Sequence, residues 1–374
     1  MAGIPVCCAS VGGFGRNTSE RMRRLDGLGG GLALDLALNG ELRMTFKLLS
    51  WALAGALTLS CAPAFSATVL KIATDSGAKG SDTGNAIEAW AKKIEEGTKG
   101  EVTFEIFYQN ELGGQQEVFD LLMAGEVDLM LNWPMTSYDK RLSILYTPYM
   151  FTNWEDGLKA YAPGGWLNEA LGSIYEDQGL TFMGAWPEGF NGIGTKGGHA
   201  LTEEEAAKIK VRVPPVFPFT ETVQALGYQT AAIDWGELYS SIQTGIVAGD
   251  AANIVFYDLT YFPDLLTDWT YTRTQLITGA LTVNSESLEK LTAEQQEVVR
   301  QAAREVMEER FAAAEAANAA DAEKWKALGH AFIEPSEEQL KAMVTVVREK
   351  VWPLMEPELG ADLMALIREN ASKL

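Results

Sequence analysis

The chain has 374 residues, enough for about two domains, and its 47% hydrophobic and 22% charged residues are typical of a globular protein. Its formal net charge of −21 argues against a basic surface that binds nucleic acid or an anionic membrane. An anionic ligand is still compatible with this charge, because a local cationic pocket can coexist with a negative exterior.

The first 67 residues differ in pattern from the rest of the chain. A short basic start at Met44 is followed by an apolar run over 48–59 and then by small residues, which predicts a secretory signal peptide over residues 44–67. The run is too short to span a membrane comfortably. Residues 1–43 are Gly-rich and patternless, and we interpret them as a start codon placed too early or as an unusually long leader.

All three cysteines, Cys7, Cys8 and Cys61, precede the predicted mature chain. The mature protein therefore has no disulfide, no thiol nucleophile and no cysteine metal site. A lipoprotein anchored through Cys61 is an alternative, although Thr58 stands where a lipobox would have leucine.

Strand and helix patterns alternate at the start of the mature chain. Strands are predicted at 68–74, 102–108 and 127–133, with helices at 85–97 and 115–124 between them. This order is typical of a parallel α/β sheet, whose ligands bind beyond the carboxyl ends of the strands. The rule points to the loops that begin at Asp75, Gln109 and Trp133.

Further strands are predicted at 180–186, 211–213 and 229–233, and further helices at 218–226, 236–243, from Ser336 to about Trp352, and at 358–374. Residues 292–328 contain no Gly or Pro and begin with a capping box, which predicts a helix of about 36 residues and roughly 54 Å. A helix of that length can run along two lobes. We therefore predict an α/β, two-lobed periplasmic solute-binding fold with a long helix spanning both lobes. Lobe I is assigned residues 68–189 plus 278–312, and lobe II residues 190–277 plus 313–374.

Arg212 is the charged residue that the predicted sheet most clearly marks as a candidate for ligand binding. It alternates with Val211 and Val213 in a strand that Pro214 ends. In a sheet covered on both faces its guanidinium is partly buried and needs an anionic partner, and no acidic residue is adjacent in the sequence. The planar fork of donors suits a ligand carboxylate. An internal salt bridge or a surface arginine are the alternatives.

Recognisable catalytic chemistry is absent from the sequence. The two histidines, His199 and His330, do not have metal-ligand spacing, and neither a G-x-S-x-G motif nor a P-loop occurs. A G-x-G-x-x-G match over 192–197 is discounted, since no helix opens directly inside it. We expect a binding protein without cofactor, metal or catalytic residues. A secreted hydrolase using paired carboxylates is an alternative that composition does not exclude.

Several segments occur in an order that carries a family resemblance. They are Gln109-Asn-Glu-Leu-Gly-Gly-Gln-Gln-Glu, Leu122-Met-Ala-Gly-Glu-Val-Asp-Leu, Lys210-Val-Arg-Val-Pro, Ala225-Leu-Gly, Trp235-Gly-Glu-Leu-Tyr and Gln243-Thr-Gly-Ile-Val. Together they resemble the periplasmic substrate-binding subunits of tripartite ATP-independent periplasmic (TRAP) transporters of the dicarboxylate-binding type. The resemblance covers essentially all of the mature chain. It implies a periplasmic, monomeric protein that delivers a small organic acid to a small and a large membrane permease subunit. A receptor that feeds a sensor pathway is the alternative.

The resemblance also implies site residues. Arg212 binds the ligand carboxylate and Trp235 packs on the ligand. Ile193 and Gly194 stand where relatives often have a second arginine, and residues 249–253 depart from the family pattern, so we expect one carboxylate and few other charges. The other expected contacts are Trp133 and Trp186 on the apolar part of the ligand, Asn253, Asn191 and Gln116 on its hydroxyl or keto groups, and Asp75. The alternatives are core packing for the tryptophans, turn roles for the asparagines and a loop cap for Asp75.

Overall fold

The computed structural model describes residues 67–109 and 111–373. Nearly all of the predicted signal peptide, the segment 1–43 before it and the lipoprotein candidate Cys61 lie outside the described residues. None of the helices within the described ranges is both long enough and apolar enough to cross a membrane.

The described residues form eleven strands and twelve α-helices. The strands are β1 (Thr68–Thr74), β2 (Val102–Phe107), β3 (Leu129–Asn132), β4 (Leu180–Phe190), β5 (Ile193–Thr195), β6 (Lys210–Val213), β7 (Gln229–Ala232), β8 (Gly249–Asp250), β9 (Asp268–Thr270), β10 (Leu276–Asn284) and β11 (Ala331–Ile333). The helices are α1 (Asp82–Gly97), α2 (Gln115–Met123), α3 (Trp154–Tyr161), α4 (Trp166–Glu176), α5 (Glu203–Ala206), α6 (Phe219–Ala225), α7 (Leu238–Gln243), α8 (Val255–Tyr261), α9 (Ser285–Glu289), α10 (Ala293–Ala327), α11 (Glu337–Leu359) and α12 (Ala361–Asn370). Two 3-10 helices cover Lys140–Tyr146 and Trp235–Glu237.

Two mixed sheets form the frame of the protein. The first has the strand order β2-β1-β3-β10-β4, and the second has the order β11-β9-β5-β8-β6-β7. In the first sheet β1 pairs in parallel with β2 and β3, as predicted, whereas β10 runs antiparallel to β3 and β4. In the second sheet β6 pairs in parallel with both β7 and β8. The chain crosses between the sheets three times, from β4 to β5, from β9 to β10 and, through α10, from β10 to β11. The division into lobe I and lobe II at the stated residues stays a prediction.

The long helix α10 packs against elements that belong to both sheets. It contacts β4 and α1 beside the first sheet, and α8 and β11 beside the second. Thr292 caps its first turn and forms a capping box with Gln295, which confirms the predicted start. Its apolar face closes a core in which the buried Trp90 indole donates to the carbonyl of Val299 at 3.3 Å.

The C-terminal helices depart from the prediction. The sequence pattern predicted a helix end near Trp352, just before Pro353 and Pro357. Instead α11 continues through both prolines to Leu359 and ends at Gly360, whose φ of 83° a glycine adopts readily. Buried Met355 and Leu359 hold this last stretch in the core, so packing outweighs the hydrogen bonds that the prolines remove. Strand β10, all of whose residues are buried, had no counterpart among the predicted elements.

Gly249 allows close contact between β8 and β5. A methyl group at this position would overlap the carbonyl oxygen of Gly194 in the neighbouring strand. We expect Gly249→Ala to lower the free energy of unfolding by at least about 2 kcal/mol, because backbone cannot yield as a side chain does. Gly172→Ala is the matched control, since nothing lies within 4 Å of its added methyl group in α4. Urea unfolding of the two variants checks this, and equal stability would contradict the expected overlap.

Candidate functional site

A cavity of about 590 Å³, part of it open to solvent, lies between the two sheets. It is formed where strands end: Asp75 follows β1, Trp133 follows β3, Pro214 follows β6 and Asn253 follows β8. This is the position that the carboxyl-end rule for α/β sheets predicts. Its lining among the described residues is Asp75, Ser76, Gly77, Gln109, Gln115, Trp133, Met135, Tyr146, Arg212, Pro214, Val216, Phe219, Trp235, Asn253 and Tyr257.

Arg212 provides the cavity with a fixed guanidinium. The residue is 3% exposed, and its Nε donates to the carbonyl oxygen of Ile233 at 2.7 Å while Nη1 donates to Oδ1 of Asp250 at 3.0 Å. Within the described part of the chain, Nη2 makes no hydrogen bond. The side chain is therefore held at two nitrogens and retains donors for a ligand. Its acidic partner comes from the adjacent strand β8, which sequence adjacency did not reveal.

Asp250 anchors the loop that follows β8. Its Oδ2 accepts hydrogen bonds from the backbone N–H groups of Ala252 and Asn253, both at 2.9 Å. The Asn253 amide in turn donates to Asp258 Oδ1 at 2.7 Å. Burial, and then the charge of Asp250, raise the pKa of Asp258 well above its usual range. Asn253 lines the cavity but part of its hydrogen-bonding capacity is already used within the protein.

Aromatic rings form the apolar wall of the cavity. Tyr257 on α8 makes edge contacts with Trp133 at 6.1 Å and with Trp235 at 5.8 Å, so it joins an indole from each sheet. Trp235 also lies beside the Arg212 guanidinium, 6.0 Å from ring centre to Cζ. Tyr146 and Phe219 pack together with their ring centres 5.3 Å apart. Such a wall covers a flat or cyclic ligand well.

Asp75 is the acidic residue of the cavity lining. It is 4% exposed and accepts the backbone N–H of Trp133 at 3.1 Å. Burial, with the nearby charge of Glu188 acting in the same direction, raises the pKa of Asp75 well above its usual range. No cluster of three or more His, Cys, Asp or Glu side chains suited to a metal ion occurs within the described residues.

The structure brings five of the eight predicted site residues into this cavity: Arg212, Trp235, Asn253, Trp133 and Asp75. Their contact with a ligand stays a prediction. The other three residues do not line the cavity.

Asn191 is fully buried at the crossing between the sheets, where its amide donates to Gln275 Oε1 at 2.8 Å and its oxygen accepts from Gln275 N at 2.8 Å. Trp186 faces a second cavity and stacks on Arg310 of α10, 5.3 Å from ring centre to Cζ. The side-chain amide of Gln116 donates a hydrogen bond to Asp120, one turn along α2, at 2.7 Å. Its neighbour Gln115 lines the cavity.

A model of bacterial extracellular solute-binding protein, family 7, matches residues 74–356. The chain belongs to this family. Proteins of the family are extracellular or periplasmic solute receptors, which confirms the expectation of a binding protein and not an enzyme.

Individual relatives agree with this assignment. The ectoine-binding periplasmic protein TeaA of Halomonas elongata is 24% identical over 204 residues, which cover 54% of this chain and 60% of TeaA. An uncharacterised protein, YiiZ of Salmonella typhimurium, is 25% identical over 220 residues, 58% of this chain and 66% of YiiZ. Both alignments thus span less than two thirds of the relative's length.

Solved structures show the same fold. A TRAP periplasmic solute-binding protein of a Sulfitobacter species, with bound β-D-galacturonate, is 23% identical with a TM-score of 0.72, over 81% of this chain and 100% of that one. A TRAP protein of Desulfovibrio salexigens with bound orotic acid is 20% identical with a TM-score of 0.73, over 81% and 98% of the two chains. These likenesses confirm the predicted two-lobed α/β fold.

Sequence reasoning missed several lining residues of this solute-binding protein. Tyr257 and Tyr146 come from segments that carried no assigned motif, and Phe219 lies inside a predicted helix. Gln115 was one residue from the predicted Gln116. A helical wheel for α2 could have separated the two, because Gln116 and Asp120 share a helix face.

Glu188 gives this solute-binding protein a pH-dependent stability. Burial raises the pKa of Glu188 from 4.5 to about 7, although the charge of Arg310 opposes the change. Between these two values the folded protein binds more protons at Glu188 than the unfolded chain does. We therefore expect the free energy of unfolding to fall by about 3 kcal/mol through Glu188 as pH rises from about 4.5 to about 7.

We expect Glu188→Gln to remove this decline. The melting temperature of the variant minus that of the wild type should be larger at pH 8 than at pH 5. Thermal unfolding of both proteins at the two pH values measures this difference. Glu204→Gln on exposed α5 is the control and should follow the wild type. A wild-type pH profile in Glu188→Gln would contradict the raised pKa.

Proposed function

We propose that this solute-binding protein binds a small organic acid between its two sheets, with the carboxylate on Arg212, and passes it to TRAP-type membrane permease subunits. One observation carries the proposal. A buried guanidinium, fixed by Ile233 and Asp250, lines an aromatic cavity and has donors beyond those that the protein uses. Two charge-assisted hydrogen bonds from such a fork fit one carboxylate.

The ligands of related proteins support this class of compound. Structures of similar TRAP proteins hold β-D-galacturonate, orotic acid and succinate, and TeaA is named for ectoine. All four compounds carry a carboxylate. Because these relatives share at most 24% identity with this chain, they support the class and not the compound.

The remaining expectations about the assembly belong to the same proposal. The two sheets act as the cores of lobes that close on the ligand, with the crossings near Asn191 and Gln275 as the hinge. The protein is exported by the signal peptide at 44–67 and works as a monomer. Light scattering during gel filtration of the mature chain tests the last point, and a dimer mass would contradict it.

Thermal unfolding in the presence of paired ligands tests the function. Galacturonate, orotate and succinate are compared with galactose, uracil and succinamide at equal concentration. At least one carboxylate should raise the melting temperature, while its uncharged counterpart should not; a ligand at a hundred times its Kd adds about 2.7 kcal/mol. If a broad panel of organic anions leaves the melting temperature unchanged, the proposal is wrong.

A further inference from the structure

The charge of Arg212 is already balanced inside the protein. Asp250 is fully buried, lies 3.0 Å from Arg212 Nη1 and belongs to the adjacent parallel strand. One ligand carboxylate therefore meets a neutral ion pair with spare donors and not an isolated positive charge. Among the described residues of the cavity lining, no second Lys or Arg is present. The cavity has no cation to receive a second ligand carboxylate.

The other side of the cavity holds an acid, Asp75, whose ionised form a neighbouring cation would favour. Asp75 comes from the end of β1 in the first sheet, whereas Arg212 lies in β6 of the second. The Asp75 carboxylate accepts from the Trp133 N–H and has no further hydrogen-bond partner within the described chain. Glu188 lies close enough to act on its charge. Tyr146 and Tyr175, the other titratable groups coupled to Asp75, are buried and neutral at physiological pH because burial raises the pKa of each phenol.

The aromatic wall favours a positive group in the same region. Trp133 directly follows β3 beside Asp75, and Tyr257 makes an edge contact with it. Ring faces of this kind attract cations, including substituted ammonium groups, through their quadrupole. A dicarboxylate would instead bury its second negative charge beside the Asp75 carboxyl group, where no cation of the described lining balances it.

We propose that the ligand is a zwitterion, whose carboxylate lies on Arg212 and whose protonated nitrogen lies against Asp75 and the Trp133–Tyr257 rings. The inference rests on the proposed function, since it takes the carboxylate at Arg212 as given. It keeps the single carboxylate that the departures from the family pattern led us to expect, and it adds one positive charge to the ligand. Asp75 thereby becomes the residue that selects a cationic nitrogen over a second acid.

The test uses two sets of probes, and the three compounds of each set have closely similar carbon skeletons. The first set is piperidine-3-carboxylate, cyclohexanecarboxylate and cyclohexane-1,3-dicarboxylate, and the second is 4-aminobutyrate, butyrate and succinate. Calorimetric titration of the mature wild-type protein should give the tightest binding with a zwitterion. In Asp75→Asn the affinity for that zwitterion should fall at least tenfold. The affinity for the matching acid without nitrogen, cyclohexanecarboxylate or butyrate, should change less than twofold.

The variant is designed to keep the local structure. The amide oxygen of the introduced asparagine can still accept the Trp133 N–H, so Asp75→Asn should melt near the wild-type temperature. Asp264→Asn, at an exposed acid outside the cavity lining, is the matched control and should bind like the wild type.

Two outcomes would overturn the zwitterion proposal and leave the carboxylate proposal standing. One is tightest binding by a dicarboxylate or by an acid without nitrogen. The other is an unchanged affinity for the zwitterion in Asp75→Asn, which would mean that Asp75 acts as a neutral hydrogen-bonding group. Failure of all six probes, and of the broader anion panel, to bind would instead overturn the proposed function itself.

Discussion

Replacing Arg212 by lysine will weaken the binding of the organic acid ten- to a hundredfold, although the protein stays folded. Lysine keeps a positive charge for the buried Asp250, but it lacks the planar fork that holds Ile233 O and Asp250 while presenting further donors. Loss of a bidentate, desolvated contact costs about 1.5–3 kcal/mol, which corresponds to this range of affinity. Calorimetric titration with whichever carboxylate stabilises the wild type measures the change.

Arg300→Lys is the matched control for this substitution. Arg300 is exposed on α10 and does not line the cavity, so its replacement should leave affinity unchanged. Wild-type affinity in Arg212→Lys would remove Arg212 from the binding site.

Removal of the partner acid should have the largest effect on stability. Asp250→Ala leaves Arg212 buried at 3% exposure without its counter-charge, and it deprives the Ala252 and Asn253 N–H groups of their acceptor. Breaking a buried ion pair from one side costs about 3–5 kcal/mol. That is a large share of a net stability of about 5–15 kcal/mol. Urea unfolding, followed by tryptophan fluorescence, measures the loss.

A double variant separates the ion pair from its hydrogen bonds. Arg212→Met combined with Asp250→Asn removes both charges and retains an acceptor at position 250, so it should be more stable than Asp250→Ala. Glu204→Ala breaks the exposed contact with Lys208 and should leave the free energy of unfolding unchanged within measurement error. If Asp250→Ala unfolds at the wild-type urea concentration, the buried pair contributes nothing to the fold.

Local signals made much of the fold predictable. The capping box of Thr292 and Gln295, with no Gly or Pro before Gly329, fixed both ends of α10 to within a residue or two. The alternating pattern of β1 gave its bounds, and the strand-end rule located the cavity near Asp75 and Trp133. These features depend on neighbours in the sequence, which a single chain displays.

Features that depend on distant pairing were missed. Asp250 lies 38 residues from Arg212 and reaches it only because β8 pairs with β6. The nine buried residues of β10 show no alternation, since this central strand is covered on both faces. Tyr257 enters the cavity from a short helix, α8, that carries no distinctive pattern. The alternative of an internal salt bridge for Arg212 is therefore part of the answer, together with a function that the remaining donors support.

A crystal structure of the mature protein with its bound acid tests the central claim most directly. We expect a ligand carboxylate oxygen about 2.7–2.9 Å from a guanidinium nitrogen of Arg212. Trp235 and Tyr257 should contact the apolar part of the ligand, with Asp250 still paired to Arg212. A ligand whose carboxylate lies away from Arg212, or one bound outside the cavity between the sheets, would contradict it.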